Sequence, residues 1–439
     1  MKKALRFSLL IILLFGFLYG LRFGLDYANI ASSYAAKTVC SCTFISKRPL
    51  ASIQAEDLYQ VPYVDVTIDS STQIVSASIY GLATAKAIFR KGFGCTLING
   101  TSIEELQQQQ GFANPSPLAD TAQLVADPQI NQPKLTRLVD SIFHERDPQH
   151  LLRTRAVVIL HKGKIVSEQY AKGIQPTMPL LGWSMTKSVT SALIGMLVKA
   201  KKLDIHRPAP VKEWEEDERK NITIDHLLRM SSGLTFEENY SKPSDATRML
   251  FKEKGSGNYA ISSKAGFKPN EKWSYSSGTS NILQEIIRRQ FPNSTAYWAF
   301  PYQALFQKIG MQSAILEPDA AGTFIGSSFM YATARDWAKF GQLYLQDGIW
   351  KNERLLPEGW VKYAATETPH SNGDYAAHFW INHHDKTYPQ DAFWADGFEG
   401  QSITIIPSKE LVVVRLGCTP KSKNFDENRF IKEVVACVR

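Results

Sequence analysis

Two β-hairpin patterns at opposite ends of a long helical region constrain the fold of this chain more than any other feature. The first runs through Arg155–Leu160 and Ile165–Tyr170, and the second through Ser402–Ile406 and Leu411–Leu416. Each joins two apolar strands through a short polar turn, which indicates antiparallel pairing. Because the residues between 200 and about 390 favour helices and loops, we predict an α+β fold. Its antiparallel sheet is built from both ends of the domain, flanked by helices, with a mostly helical inserted region.

The N-terminus has the pattern of a membrane anchor or a secretory signal. Lys2, Lys3 and Arg6 precede an apolar run from Phe7 to Leu21. No clean small-x-small cleavage motif follows this run, which favours an uncleaved anchor. Since the positive flank stays in the cytoplasm, we predict a single anchor in the inner membrane, with the rest of the chain in the periplasm or outside the cell.

The rest of the chain divides by composition and periodicity. Alternating strands at Val64–Ile68 and Gln73–Tyr80 indicate a small β-rich extension, interpreted as a structural cap or spacer, with partner binding as the alternative. A polar stretch that contains Asn114-Pro115-Ser116-Pro117 indicates a linker. The predicted regions are 1–26, a membrane anchor or signal segment; 27–105, the β-rich extension; 106–129, the linker; and 130–439, the main domain.

The five cysteines agree with export to an oxidising compartment. Cys95 is expected to pair with Cys40 or Cys42, and Cys418 with Cys437. Neither a metal nor another cofactor is expected, because the sequence has no C-x-x-C or H-x-x-x-H spacing. The formal net charge of +8 is spread along the chain without a dense basic block, so no nucleic-acid partner is expected.

Ser184 and Lys187 are the strongest candidates for chemistry. They lie three residues apart at the head of an apolar helical stretch, so their side chains share one helix face. A serine hydroxyl needs a nearby base to become a nucleophile, and a lysine held away from water can serve as that base. The positive end of the helix dipole also favours developing negative charge.

Further segments follow this pair in order: Met230–Tyr240, Tyr275-Ser276-Ser277 and Ala395-Asp396-Gly397. With Ser184-Met185-Thr186-Lys187 they resemble the serine β-lactamase and penicillin-binding superfamily, whose motifs are S-x-x-K, Y-x-N or Y-x-S, and K/H-T-G. The resemblance covers about residues 130–439. It is strongest to the class C, carboxylesterase and 6-aminohexanoate-dimer hydrolase branch, in particular to the last of these.

The resemblance implies roles for individual residues. Ser184 attacks a carbonyl to form an acyl-enzyme, and Lys187 and Tyr275 share the proton transfers, with a tyrosinate or a neutral lysine as the base. The backbone N–H groups of Ser184 and Phe398 are the implied oxyanion donors. The candidates for substrate binding are Tyr240, Ser277 and Gly397.

Two positions depart from the family motifs and narrow the expected substrate. Ala395 stands where other members have a cation that holds a substrate carboxylate, and Ser277 replaces the amide of Y-x-N. We therefore predict an exported, membrane-anchored serine hydrolase that cleaves small esters or linear amides. The alternatives are a peptidoglycan D-alanyl carboxypeptidase or β-lactamase, and a catalytically silent binding protein of the same fold.

Overall fold

The computed structural model describes residues 2–109, 111–112, 122–421 and 424–439. The chain begins with α1 (Lys2–Phe44), a helix of 43 residues. Its large apolar side chains from Phe7 to Leu25 are exposed, whereas most residues from Ile30 onward are buried. The exposed part is long and apolar enough to cross a membrane, a property that anchors and signal sequences share.

A small antiparallel sheet packs on the buried half of α1. The elements are α2 (Leu50–Glu56), β1 (Asp65–Asp69), β2 (Ile74–Ile79), β3 (Ala83–Arg90), β4 (Gly94–Leu97) and α3 (Ile103–Gln108). The strands pair in the order β1-β2-β3-β4. Val75 and Ala77 of β2 lie in the same buried cluster as Ala35 and Val39 of α1. This sheet confirms the predicted strands, whereas residues 27–44 of the predicted β-rich extension continue the helix α1.

The predicted linker at 106–129 lies partly outside the described residues, and so does its proline-bearing stretch at 114–117. At its start, α3 extends to Gln108. At its end, the Val125 N–H donates a hydrogen bond of 2.9 Å to the Ile165 carbonyl, which brings the chain onto the main sheet.

Helices and short strands make up the remainder of the chain. The helices are α4 (Gln132–Ser141), α5 (Met185–Lys199), α6 (Ile224–Leu228), α7 (Asp245–Phe251), α8 (Ser256–Ile261), α9 (Ser277–Arg289), α10 (Ser294–Phe300), α11 (Gln307–Ile309), α12 (Ala334–Leu345), α13 (Trp360–Ala364) and α14 (Glu427–Val435). The strands are β5 (Thr154–His161), β6 (Lys164–Tyr170), β7 (Leu180–Leu181), β8 (Ile315–Leu316), β9 (Met330–Ala332), β10 (Ile349–Trp350), β11 (Glu353–Arg354), β12 (Trp380–Ile381), β13 (Phe393–Gly397), β14 (Gln401–Ile406) and β15 (Leu411–Gly417).

The main sheet joins the two predicted hairpins. Its order is β12-β13-β14-β15-β5-β6, and β15 pairs antiparallel with β5, for example Val412 with Leu160. Alternate side chains point to opposite faces of a strand. Val157 and Ile159 pack in a cluster with α4 and α14, whereas Val158 packs in the cluster that contains α5 and α12. Both faces are thus covered by helices, and the predicted fold class is confirmed.

Of the two predicted disulfides, the one that involves Cys95 is confirmed, and the one between Cys418 and Cys437 is wrong. Cys40 and Cys95 form a disulfide that ties α1 to β4. Cys42, Cys418 and Cys437 are free and buried. Cys418 faces α2, since its Sγ lies 3.3 Å from the Glu56 carbonyl oxygen, whereas the Cys437 Sγ lies 3.3 Å from the Glu433 carbonyl oxygen within its own helical turn. The two thiols therefore face different surroundings and do not pair.

Candidate active site

Ser184 lies at the start of α5, immediately after a residue with a strained backbone. Trp183 has a φ of +47°, a left-handed conformation that is costly for a bulky residue and persists where packing holds it. Its ring packs edge-on against that of Phe398, with ring centroids 5.8 Å apart. Ser184 occupies the N-cap position, but its hydroxyl accepts no hydrogen bond from the helix backbone. The hydroxyl contacts Lys187 instead.

Lys187 is buried beside the serine, with 2% of its surface exposed. Its Nζ lies 2.8 Å from Ser184 Oγ, 3.1 Å from Ser277 Oγ and 3.0 Å from the Ser327 carbonyl oxygen. Burial lowers the pKa of Lys187 to about 8, against the opposing effect of nearby carboxyl groups. A substantial fraction of this lysine is therefore neutral near pH 7 to 8, the form that accepts a proton from Ser184.

Tyr275 completes the group around the serine. The Lys187 Nζ lies 4.8 Å from the centroid of the Tyr275 ring, and the Ser184 side chain is close enough to the phenol to oppose the rise in its pKa. Burial, and secondarily the charge of Glu238, raises the pKa of Tyr275 above its ordinary value. The phenol therefore stays protonated at neutral pH. Of the two bases considered from sequence, tyrosinate and neutral lysine, this environment favours the lysine and leaves Tyr275 as a proton donor.

Ser184 and Phe398 are the residues whose backbone N–H groups are the expected oxyanion donors. Phe398 follows β13 in a tight turn, and both Ser184 and Phe398 line the cavity. Within the described part of the chain, neither N–H donates a hydrogen bond to another protein group. Gly397 permits this arrangement, because a Cβ at that position would lie 2.3 Å from the Gly182 carbonyl oxygen. The segments that carry Ser184 and Phe398 therefore approach each other closely at the cavity, and the oxyanion hole itself stays a prediction.

Glu238 organises the residues behind the catalytic group. It accepts hydrogen bonds of 2.8 Å from the Ser277 N–H, 2.5 Å from the Ser277 hydroxyl and 2.7 Å from the Tyr240 hydroxyl. Ser277 is fully buried and contacts Lys187, so it positions the lysine and lies outside the cavity lining. The Tyr240 ring is 49% exposed at the rim, where it lines the cavity.

Of the sequence-predicted residues, Ser184, Tyr240, Tyr275 and Phe398 line the cavity, whereas Lys187 and the binding candidates Ser277 and Gly397 lie outside its lining. The structure also adds two acidic residues. Glu238 and Asp396 were absent from the sequence candidates, although each lies within or beside a recognised motif. Burial, with a contribution from Glu427, raises the pKa of Asp396, which lines the cavity. The cavity has a volume of about 560 Å³ and is also lined by residues of α1, which no sequence pattern predicted.

Known proteins share this architecture. The model of the beta-lactamase family matches residues 139–436. The chain belongs to the beta-lactamase family. This confirms the predicted family, and the matched region of this beta-lactamase family member contains Ser184, Lys187, Tyr275 and Phe398.

The known proteins to which this chain is similar are distant from it in sequence. It is 22% identical over 295 residues to a 6-aminohexanoate-dimer hydrolase of Paenarthrobacter ureafaciens, covering 61% of this chain and 73% of that protein. The structure of a putative 6-aminohexanoate-dimer hydrolase from Bacillus anthracis superposes with a TM-score of 0.58 at 22% identity, over 74% of this chain and 87% of that one. A family VIII carboxylesterase superposes with a TM-score of 0.57 at 13% identity, over 72% and 98%. These superpositions establish the shared fold.

Proposed function

We propose that this protein is an exported hydrolase, held at the membrane by α1, that cleaves carboxylic esters or linear amides through an acyl-enzyme on Ser184. The observation that carries the proposal is the buried Lys187 Nζ, 2.8 Å from Ser184 Oγ, with a pKa lowered by burial to about 8. The names of the relatives, a dimer hydrolase and a carboxylesterase, support the same reaction class.

The residues allow a balanced acyl-transfer cycle. Ser184 Oγ attacks the substrate carbonyl carbon while neutral Lys187 takes the hydroxyl proton, and the N–H groups of Ser184 and Phe398 bind the oxyanion. Tyr275 gives its proton to the departing alcohol or amine and regains a proton from the Lys187 ammonium. Water then attacks the acyl-serine and gives one proton to Lys187. The Lys187 ammonium returns that proton to Ser184 Oγ as the bond between serine and acyl group breaks and the carboxylic acid leaves.

The charges in the cavity favour substrates without a carboxylate. Glu238 and Asp396 both line it, and Ala395 supplies no cation. Lys242 lies at the rim, where it pairs with Glu237 at 2.6 Å. An anionic substrate would approach the carboxylate of Glu238, so β-lactams and peptidoglycan stems are disfavoured relative to neutral esters and amides.

Activity is expected to rise with pH through the pKa of Lys187, about 8. The base must be neutral, so kcat/KM should fall about tenfold per pH unit well below that value. Tyr275, with its raised pKa, should add no descending limb at moderately alkaline pH. The measurement is kcat/KM for p-nitrophenyl butyrate across neutral and alkaline pH, corrected for spontaneous hydrolysis. A profile that falls on going from neutral to pH 9 contradicts the assignment of a neutral lysine base.

Covalent labelling tests the nucleophile. The full-length protein in detergent is treated with a fluorophosphonate probe, and the modified peptide is identified by mass spectrometry. We expect the label on Ser184, and no labelling of that peptide by a fluorescent penicillin under the same conditions. A label on another residue, or none on folded protein, contradicts the proposed function. Efficient penicillin acylation of Ser184 would instead favour the penicillin-recognising alternative.

A further inference from the structure

One wall of the active-site cavity belongs to the N-terminal helix. This wall, called here the α1 wall, consists of residues at helical spacing that share one face: Tyr27, Ile30, Ala31 and Tyr34. The ring of Tyr34 packs edge-on against Phe251, another cavity residue, with centroids 5.7 Å apart. The helix therefore lies beside the reacting serine and shapes the space that a substrate occupies.

The α1 wall is fixed at both ends. Just before it, the Asp26 carboxylate forms ion pairs with Arg248, at 2.8 Å, and with Lys252, both beside the cavity on α7 and its C-terminal end. Just after it, Lys37 forms a buried ion pair with Glu317, and Cys40 is bonded to Cys95. These contacts hold the wall against the catalytic region as a permanent part of the site.

The wall continues directly from the part of α1 that suits a membrane. Leu25, the last of the exposed apolar run, precedes Ile30 by about 8 Å along the helix axis at 1.5 Å per residue. Tyr27 and Tyr63 are 39% and 41% exposed, and their hydroxyl oxygens lie 3.2 Å apart. Because tyrosine side chains prefer the interface of membrane and water, they place this side of the cavity at the membrane surface.

The cavity is apolar towards α1 and polar towards the serine. The apolar and aromatic lining includes Val61, Leu250, Phe251 and Phe398 in addition to the wall. The polar lining includes Ser184, Tyr275, Glu238 and Asp396, together with Gln60, Ser241, Lys242, Thr247 and Ser328. A volume of about 560 Å³ lies within the range of roughly 300–1,000 Å³ typical of small-molecule sites. A carbonyl at Ser184 therefore leaves an attached hydrocarbon chain to pack along α1.

We propose that the α1 wall selects the acyl chain, and that the natural substrate is a long-chain, uncharged or cationic acyl ester taken from the membrane that holds α1. This inference rests on the proposed function and names its substrate class. Chain selection follows from the apolar wall, and exclusion of anionic lipids follows from the Glu238 carboxylate in the cavity lining.

A series of p-nitrophenyl esters with chains from butyrate to dodecanoate tests the wall. Ala31→Phe fills the cavity and is expected to lower kcat/KM for dodecanoate relative to butyrate by about tenfold, since each buried methylene contributes about 0.8 kcal/mol. Ile30→Ala enlarges it and should shift the preference to longer chains. The matched control is Asn29→Phe, because Asn29 lies on the same helix outside the cavity lining, bonded to the Leu25 carbonyl at 2.8 Å. Unchanged chain-length ratios in both wall variants, with Ser184 still labelled by fluorophosphonate, overturn the role of the wall.

Vesicles test delivery from the membrane. The full-length protein is reconstituted in phosphatidylcholine vesicles that contain dioleoylglycerol, or is mixed with separate vesicles that contain it. We expect hydrolysis to be at least about tenfold faster in the shared vesicles, because anchoring raises the effective concentration. Dioleoyl phosphatidate should react at least about fivefold more slowly, because its phosphate charge would approach the Glu238 carboxylate.

The outcomes separate the two proposals. Equal rates of hydrolysis in shared and separate vesicles overturn delivery from the membrane. Equal rates of hydrolysis for dioleoyl phosphatidate and dioleoylglycerol overturn the charge preference. Hydrolysis of butyrate with Ser184 labelled, but none of dioleoylglycerol, overturns this substrate class and leaves the proposed function intact. No hydrolysis of any ester, together with no label on Ser184, overturns the proposed function itself.

Discussion

The Ser184→Ala variant is expected to lose at least about 10⁴-fold in kcat for p-nitrophenyl butyrate, because covalent catalysis has no second nucleophile at this position. The methyl group that replaces the hydroxyl cannot form the acyl-enzyme, and Lys187 then has no serine proton to accept. The measurement is steady-state hydrolysis by the full-length protein, with fluorophosphonate labelling in parallel. Both readouts should disappear together.

Ser188→Ala is the matched control for this variant. Ser188 lies one turn further along α5 and is buried, and its hydroxyl donates a 2.6 Å hydrogen bond to the His378 carbonyl. Its loss should cost about 1 kcal/mol of stability while the catalytic group stays in place, so kcat should change by less than about threefold. If folded Ser184→Ala retains more than a few per cent of the activity, the nucleophile lies elsewhere.

The architecture of the main sheet was predictable because its strands carry strong local signals. Thr154–His161 and Leu411–Gly417 are apolar runs next to tight turns, and they are buried on both faces in the structure. The buried half of α1 carried no such signal. Residues 27–44 are rich in small and hydroxyl side chains, and a helix that is packed on nearly all sides has no amphipathic period to reveal it.

The parts of the candidate site that are formed by residues close in the sequence could be predicted. The parts that are formed by residues distant in the sequence were missed. Ser184 and Lys187 share a helix face by their spacing, so their contact follows from the sequence. The α1 wall meets Ser184 only through tertiary packing, across more than 150 intervening residues for Ile30. The upward shift of the Tyr275 pKa also depends on tertiary packing, because it is caused by burial and by the charge of Glu238, which is distant in the sequence.

The Glu317→Ala variant is expected to lose about 3–5 kcal/mol of stability, because it leaves the Lys37 ammonium buried without its counter-charge. The side chains of Lys37 and Glu317 are 3% and 0% exposed. Glu317 also accepts hydrogen bonds of 2.8 Å from the Ser41 hydroxyl and 2.6 Å from the Cys95 N–H, and both donors would lose their acceptor. The measurement is urea unfolding of the full-length protein in detergent. Glu353→Ala is the control, since its pair with Lys308 is solvent-exposed and should contribute no more than about 1 kcal/mol.

A double variant, Lys37→Met with Glu317→Leu, separates the loss of a charge partner from the loss of packing. Replacing a whole buried ion pair by apolar residues is often neutral, so the double variant should recover much of the stability lost in Glu317→Ala. It should not recover all of it, because Ser41 and the Cys95 N–H remain without their acceptor. If Glu317→Ala costs less than about 1 kcal/mol, the pair does not fix α1 to the catalytic region. The position of the α1 wall would then depend on the Cys40–Cys95 bond and on apolar packing.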